Sequence, residues 1–392
     1  MVPKGWSSVQ AQDVCKSISV GVVIKPTQYY VPEGYGVKAF RSANVREGFI
    51  NDSDWVYFSH EGHAINKKSH LKTGDVLIVR TGYPGTACVV TPEFEGSNAI
   101  DIVIARPDMD KIIPEYLCAY TNSHIGKSQV LDLQGGMAQK HLNVGAYQVL
   151  KINLPPLREQ KKIAQILSTW DKAITVTEKL LANSQRQKKA LIQQLLTGKK
   201  RLLDENGVRF SGEWVYLTFD NAFIVANKKS AQVKSSDYLQ SGSIPIIDQG
   251  QSRIAGYCNN LEVYSDVPVI VFGDHTRCVK WIEFVFCPGA DGTQVIKTSK
   301  ILEPKLGYYL LSNTDIPNLG YSRHMRELKE KDFRLPLDIK EQQKIAAVLS
   351  AADAEISTLE KKLACLRDEK KALMQQLLTG KRRVKVDEAV AE

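Results

Sequence analysis

A block of forty-four residues, 158–201, occurs twice in this chain of 392 residues. Shifted by 182 positions, the block aligns without a gap on residues 340–383, and 25 of the 44 positions are identical. The run at 193–199 returns letter for letter at 375–381. Because a long repeat defines the architecture, every other segment is placed relative to it. The sequence therefore predicts two unlike segments, each followed by one copy of the block.

Each copy carries the spacing of a coiled-coil seam, alternating three and four residues. The seam positions are Leu167, Trp170, Ile174, Thr177, Leu181, Ser184, Lys188, Leu191 and Leu195, then Leu349, Ala352, Ile356, Leu359, Leu363, Leu366, Lys370, Leu373 and Leu377. Each helix would run for about forty residues, or roughly 60 Å. Because neither helix can bury its seam alone, we predict one antiparallel intramolecular coiled coil, connected by the second unlike segment. Gly198 and Gly380 stand where left-handed helix caps are expected, and the basic triplets after them suit the negative end of a helix dipole.

The two unlike segments have the pattern of α/β modules with mixed β-sheets. Residues 75–80, 99–105 and 267–272 predict strands, while 114–120 and 307–311 predict helices. Polar loops at 134–141 and 320–325 follow those helices at matching places. The predicted domains are 1–153, a helical spacer at 154–201, a linker and second module at 202–335, a second spacer at 336–383, and a tail at 384–392.

The net charge of +9 is distributed unevenly along the chain. The first block has a net charge of +8 and the second +4, whereas residues 1–157 have +1 and 202–339 have −2. An excess of positive charge indicates a polyanionic partner such as nucleic acid. Solvated helix faces and helix capping explain any single lysine equally well.

The remaining composition points to an ordinary cytoplasmic protein. Apolar residues make up 43% of the chain, enough for packed cores, and no apolar run is long enough to span a membrane. Seven scattered cysteines without a Cys-x-x-Cys pair predict reduced thiols. His60 and His63 form one close pair without a third ligand nearby, so no metal site is predicted.

The motifs of DNA-modifying and DNA-cutting enzymes are missing from the sequence. A methyltransferase needs a glycine-rich cofactor loop and an Asn/Asp-Pro-Pro-Tyr/Phe motif, but the glycines at 34 and 36 have no third partner and 153–157 has the wrong order. A metal-dependent nuclease needs carboxylates on neighbouring strands, whereas those at 106–111 lie within one turn. We therefore predict a protein without catalytic residues.

The ends of the repeated block resemble a known family. The motif Leu-Pro-Pro-Leu-x-Glu-Gln-x-x-Ile-Ala-x-x-Leu at 154–167 and the Gln-Leu-Leu-Thr-Gly-Lys motif at the helix end are both present twice. Together with the alternation of module and helix, they resemble the specificity subunit of a type I restriction-modification system. The second copy departs slightly, because 335–342 holds one more residue before its Glu-Gln pair.

The resemblance implies a non-catalytic DNA-recognition subunit. Each module would be a target-recognition domain that reads one half of a bipartite DNA site, while the helices space the modules and dock two methyltransferase subunits. Restriction subunits, which translocate and cut DNA, would join through these. The chain itself would hold no cofactor, since S-adenosylmethionine, ATP and magnesium would belong to the partners. The helix positions expected to dock the methyltransferase are Gln160, Ile163, Leu167, Gln342, Ile345 and Leu349.

Polar side chains in the module loops are the candidates for DNA contact, because arginine, glutamine and histidine can reach base edges while lysine binds phosphate. In the first module the candidates are Arg80, Tyr83, Gln134, Gln139, Lys140 and His141. In the second they are Gln249, Gln251, Arg253, His275, Arg277, Tyr321, Arg323 and His324. Two modules at opposite ends of the helix pair would meet the duplex about one helical turn apart, 34–36 Å.

A second hypothesis is a coiled-coil scaffold or regulatory DNA-binding protein that reads no bipartite sequence. The charged helices would suit such a protein. Two divergent versions of one binding module favour sequence recognition, because a scaffold has no use for both.

Overall fold

The structure, a computed structural model, describes residues 2–133, 141–318, 320 and 323–386. The chain divides into two compact units, each built from one module and parts of both long helices. Unit 1 comprises residues 1–179 with 361–392, and unit 2 comprises residues 180–360. Each module therefore packs against the beginning of the helix that follows it and the end of the other helix.

The two long helices have the predicted length and seam. They span Leu157–Leu195 and Ile339–Leu378, which are 39 and 40 residues. All eighteen predicted seam positions are buried or half-buried. The predicted caps are also confirmed, since Gly198 and Gly380 both have φ of +69°. In this left-handed region glycine avoids the steric cost that a side chain would bring.

Ion pairs within each unit show that the helices run antiparallel. In unit 1, Asp171 pairs with Lys370 at 2.5 Å and Glu178 pairs with Arg367 at 2.7 Å. The residue numbers on the second helix therefore fall as those on the first helix rise. In unit 2, Lys188 pairs with Asp353, and Arg201 pairs with Glu341. The seam lysines at 188 and 370, which a purely apolar seam would exclude, are thus neutralised by equivalent aspartates.

The module of unit 1 carries two four-stranded sheets. One is antiparallel, in the order Cys15–Val20, Ile102–Pro107, Val76–Val79 and Ala87–Val89. The other is mixed, in the order Asn98–Ala99, Gly36–Phe40, Val56–Ser59 and Tyr30–Val31. Short pairs join Ser7–Gln10 to Lys151–Leu154 and Val45–Arg46 to Phe49–Ile50. The helices are Ala11–Val14, His60–Ile65, Pro114–Asn122, His124–Leu133 and Val144–Gln148.

The module of unit 2 repeats this plan in shorter form. Its antiparallel sheet has the order Phe223–Val225, Thr293–Thr298, Val269–Gly273 and Val279–Ile282. Its mixed sheet has the order Gly256–Cys258, Ile244–Ile247 and Cys287–Pro288. Trp214–Thr218 pairs with Asp332–Pro336. The helices are Phe219–Ala222, Pro304–Ser312 and Met325–Lys329.

The predicted α/β class with mixed sheets is confirmed, and the predicted strands and helices are found with shifted ends. The predicted strand at 99–105 is divided, because Asp101 adopts a φ of +49° between Asn98–Ala99 and Ile102–Pro107. This residue lets the chain leave one sheet and enter the other. The seven cysteines are free thiols. Over the part of the chain that the structure describes, no helix is long and apolar enough to cross a membrane.

Each long helix is fastened to its own module by one buried glutamine. The side chain of Gln160 accepts a hydrogen bond from the amide of Ile113 at 3.0 Å and donates to the carbonyl of Lys111 at 2.9 Å. Gln342 accepts from the amide of Glu303 at 2.7 Å and donates to the carbonyl of Ile301 at 2.9 Å. The two glutamines occupy equivalent positions of the repeat and make the same contacts.

This burial corrects the predicted docking surface. The exposed fraction is at most 3% for all six side chains that the resemblance suggested for methyltransferase contact, namely Gln160, Ile163, Leu167, Gln342, Ile345 and Leu349. The four apolar side chains belong to the cores that join each helix to its module. These side chains offer a partner almost no surface, apart from the edge of Leu167 that borders a cleft, so their main role is to hold helix and module together.

A second repeated cluster joins the two long helices within each unit. In unit 2 the guanidinium of Arg201 binds both carboxylate oxygens of Glu341, at 2.5 and 2.6 Å, and lies 5.7 Å from the ring of Trp214. In unit 1, Arg383 binds both oxygens of Glu159, at 3.0 and 2.5 Å, and lies 5.7 Å from the ring of Trp6. The end of one helix is thereby tied to the start of the other.

Candidate functional site

The first candidate site lies after the strand Val76–Val79 in unit 1. Arg80 is 8% exposed, and its Nε donates to the carbonyl of Leu142 at 3.0 Å. Its two terminal nitrogens contact Asp101 and His141. These contacts direct the guanidinium into the protein, so the prediction that Arg80 reads DNA is corrected to a supporting role. Arg80 holds three loops together beneath the surface.

The exposed part of this site is formed by the turn after Arg80. Tyr83 is 83% exposed, between Gly82 and Gly85, which both have positive φ. His141 contacts the hydroxyl of Thr81 through Nδ1 at 3.0 Å, which orients its ring beside the turn. Tyr83 and His141 therefore stay as predicted DNA contacts. The predicted Gln134, Gln139 and Lys140 lie outside the described residues.

In unit 2, three other loops contact the Asp274–His275 segment, which follows the strand Val269–Gly273. The amide of Asp274 donates to the carbonyl of Gly292 at 2.7 Å, and its own carbonyl accepts from the amide of His324 at 2.8 Å. Its carboxylate accepts from the amide of Met325 at 2.7 Å. The amide of His275 donates to the side chain of Gln249 at 3.1 Å. The arrangement is a small polar platform in which each loop is held by another.

A buried lysine supports one of these loops. Lys280 is 8% exposed, and its ammonium donates to the carbonyls of Asp248 at 2.8 Å and Ser252 at 2.6 Å. Burial lowers the pKa of Lys280, while Asp248 acts in the opposite direction. The loop that presents Gln251 and Arg253 is thus fixed from below. Both of these side chains are exposed, and the guanidinium of Arg253 lies 5.6 Å from the ring of Phe284.

The remaining candidates of unit 2 differ in accessibility. Arg323 is exposed, whereas the half-buried Arg277 donates to the carbonyl of Ile316 at 2.8 Å. His324 has no exposed surface, and its Nδ1 lies 2.8 Å from the carbonyl of Asp274. The prediction that His324 reads DNA is therefore corrected, since its ring helps to hold the platform. Tyr321 lies outside the described residues.

The two sites share one backbone contact. In unit 1 the amide of Leu142 donates to the carbonyl of Arg80 at 2.9 Å, and in unit 2 the amide of His324 donates to that of Asp274 at 2.8 Å. Arg80 thus corresponds to Asp274, and Leu142 to His324. The scaffold is equivalent in both modules, while the side chains on it are different. Gln249, Gln251, Arg253, His275, Arg277 and Arg323 stay predictions as DNA contacts.

Sequence reasoning missed the residues that support the loops. Asp101, Asp274 and Lys280 make the contacts that shape the two sites, yet none belongs to a recognisable motif. Lys280 lies in the strand Val279–Ile282, where the alternation of side chains indicates only that this lysine faces inward. A lysine at an inward strand position indicates that polar groups lie nearby, because a buried charge requires polar partners.

Comparison with known proteins agrees with this architecture. Residues 3–183 match the model of the type I restriction modification DNA specificity domain. A putative type I restriction enzyme MjaX specificity subunit of Methanocaldococcus jannaschii is 26% identical, over 98% of this chain and 95% of the relative. The EcoKI specificity subunit of Escherichia coli is 24% identical over 43% of this chain and 36% of its own length.

Among solved structures, the type I restriction-modification S subunit from M. genitalium shares the fold, with a TM-score of 0.62 and 13% identity, covering 96% of each chain. A chain from a structure of a type I R-M system has a TM-score of 0.56 at 17% identity, covering 97% of this chain and all of its own. The repeated block, the paired modules and the full-length relative lead to one conclusion. Over nearly its whole length the chain is similar to a specificity subunit of a type I restriction-modification system, and residues 3–183 match the DNA specificity domain of such subunits.

Proposed function

We propose that this DNA-recognition subunit reads a bipartite sequence, one half with the loops of each module. The supporting observation is the pair of equivalent platforms built on Arg80 and Asp274, which present unlike exposed side chains. Tyr83 and His141 would serve in unit 1, and Arg253 and Arg323 in unit 2. Base edges are distinguished by the donors and acceptors of such side chains, so two unlike sets read two unlike half-sites.

The partners follow from the family. Specificity subunits work in complexes with modification and restriction subunits, and we propose two modification subunits for each copy of this chain. S-adenosylmethionine, ATP and magnesium would be bound by those partners. Because the six helix residues are at most 3% exposed, docking would use mainly other, exposed positions of the helices and modules.

The test is an exchange of one module. Replacing residues 1–153 with the corresponding module of another family member should change one half of the recognised sequence and leave the other half unchanged. The complex of the chimaera with its modification subunit would be mapped by methylation of a random duplex library. A change in both halves would exclude modular reading. Methylation without any sequence preference would favour the scaffold hypothesis instead.

A single arginine offers a sharper prediction. We expect Arg323→Ala to weaken binding of the recognised duplex by about 1–3 kcal/mol and to relax preference at one base position, which is the cost of a lost bidentate contact to guanine. Competition binding across single-base variants of the site would measure both effects. Arg326→Ala is the matched control, because Arg326 is exposed, pairs with Glu330 at 3.5 Å and is not among the predicted DNA contacts. An equal loss of affinity for all DNA sequences, together with a shallower salt dependence of binding, would mean that Arg323 contacts a phosphate group.

A further inference from the structure

Unit 1 contains a cleft between its module and the long-helix segments that pack on it. The cleft has a volume of about 490 Å³ and lies within the size range of ligand pockets. Val89, Cys118 and Ala119 line it from the module, and Leu167 and Met374 line it from the helices. Asp171 and Lys370, which form an ion pair of 2.5 Å, lie at its helix side.

The equivalent region of unit 2 can be identified residue by residue. The helices Pro114–Asn122 and Pro304–Ser312 both have nine residues and a proline at the first turn, and the two anchoring glutamines bind the residues just before them in the same way. Ala119 therefore corresponds to Tyr309, and Cys118 corresponds to Tyr308.

The strand register gives a third pair. Val89 is paired with Val76, and Trp281 is paired with Ile270. Val76 and Ile270 each stand four residues before the corresponding Arg80 and Asp274. Val89 therefore corresponds to Trp281, and all three small residues of the cleft have large aromatic counterparts in unit 2.

In unit 2 these aromatic side chains fill the space beside the long helices. The ring centroids of Trp281 and Tyr308 are 6.0 Å apart, and those of Tyr308 and Tyr309 are 5.2 Å apart. Tyr309 is 1% exposed, and its hydroxyl donates to Oδ2 of Asp353 at 2.6 Å. Burial and this carboxylate raise the pKa of Tyr309, so its hydroxyl stays a proton donor.

Unit 1 contains counterparts of the carboxylate that accepts this hydrogen bond and of the lysine paired with it. By the repeat, Asp171 corresponds to Asp353, and Lys370 corresponds to Lys188, which pairs with Asp353. The described contacts of Asp171 include Lys370 but no tyrosine, because the position of Tyr309 is taken by Ala119. The cleft thus has the acceptor for a phenol hydroxyl and room for the ring.

We propose that this cleft binds a tyrosine side chain carried on a polypeptide segment of a partner protein, with the hydroxyl donating to Asp171. A segment is favoured over a free phenol because a second cavity of about 660 Å³ adjoins the first and shares Phe49, Asn122, Asp171, Lys370 and Met374 with it. Phe49 is 61% exposed and Leu131 is 57% exposed along this extension. One ring does not fill both cavities, whereas residues flanking a tyrosine would cover these apolar surfaces.

The first test uses the full chain and three probes in titration calorimetry. N-acetyl-tyrosine N-methylamide should bind about tenfold more tightly than its phenylalanine analogue, because a hydrogen bond to a carboxylate is among the stronger ones. Asp171→Asn should reduce that ratio to below about threefold. Failure of the tyrosine probe to bind would overturn the proposal. Binding of p-cresol without binding of the tyrosine probe would overturn the polypeptide occupant.

The second test fills the cleft from within. Ala119→Tyr places in unit 1 the residue that unit 2 has, and it should abolish probe binding without lowering the melting temperature. Ala182→Tyr, at an exposed helix position, is the matched control and should leave binding unchanged. If the Ala119→Tyr variant does not fold, Cys118→Leu narrows the cleft from the same wall with a smaller side chain. Retained binding in a folded blocked variant would overturn the proposal. The probes contain no DNA, so these outcomes are independent of the proposed sequence reading.

Discussion

Replacement of Arg201 with methionine is expected to lower the free energy of unfolding of unit 2 by about 3–5 kcal/mol. Glu341 has no exposed surface, and Arg201 binds both of its oxygens. Removing one member of a buried pair leaves the other charge without compensation, which costs more than the pair contributed. Methionine keeps much of the apolar contact with Trp214, so the decrease in the free energy of unfolding reflects mainly the uncompensated charge of Glu341.

The measurement is native-state hydrogen exchange at the amides of the helix Pro304–Ser312, which belongs to the core of unit 2. Arg326→Met is the matched control in the same unit, because the pair of Arg326 with Glu330 is mostly exposed and should contribute less than about 1 kcal/mol. Adding Glu341→Gln to Arg201→Met should restore part of the loss. Equal effects of Arg201→Met and Arg326→Met would show that the buried charge is not the cause.

Lengthening both long helices by seven residues is expected to widen the gap between the two half-sites by about three base pairs. Seven residues add about 10.5 Å of helix, and one base pair occupies about 3.4 Å. The insertions belong after Lys179 and after Glu360, where the two units divide, so that the contacts inside each unit stay intact. A heptad preserves the seam phase. This prediction depends on the proposed bipartite reading.

A methylation map of the assembled complex would measure the gap. The control carries the insertion in the first helix only, which leaves seven residues without a partner across the seam and should reduce complex activity. An unchanged gap in an active double-insertion variant would mean that the helices do not set the spacing.

The helices were predictable from sequence because their constraint is periodic. A spacing of three and four marks every seam position, and the structure buries or half-buries each one, including the lysines at 188 and 370. Periodicity shows which face is apolar but not what covers it. The docking prediction was wrong for this reason, since the modules of this same chain cover Gln160 and Gln342.

The recognition loops were predictable only as segments. Composition identified them as polar, and the structure places Tyr83, Arg253 and Arg323 at exposed positions. Composition could not distinguish these side chains from Arg80 and His324, because burial at a loop depends on contacts with residues distant in sequence, such as Asp101 and Asp274. The cleft could not be predicted from the sequence either, since Cys118 and Ala119 indicate a cavity only when they are aligned with Tyr308 and Tyr309.

The glutamine anchors have a consequence for how such a protein can change. Gln160 and Gln342 bind their modules through main-chain amides and carbonyls, at Lys111 and Ile113 and at Ile301 and Glu303. Every amino acid other than proline offers those same atoms. A foreign module can therefore be attached to an existing helix without matching substitutions at this joint, so the exchange of a whole module requires no co-adaptation of the glutamine contacts.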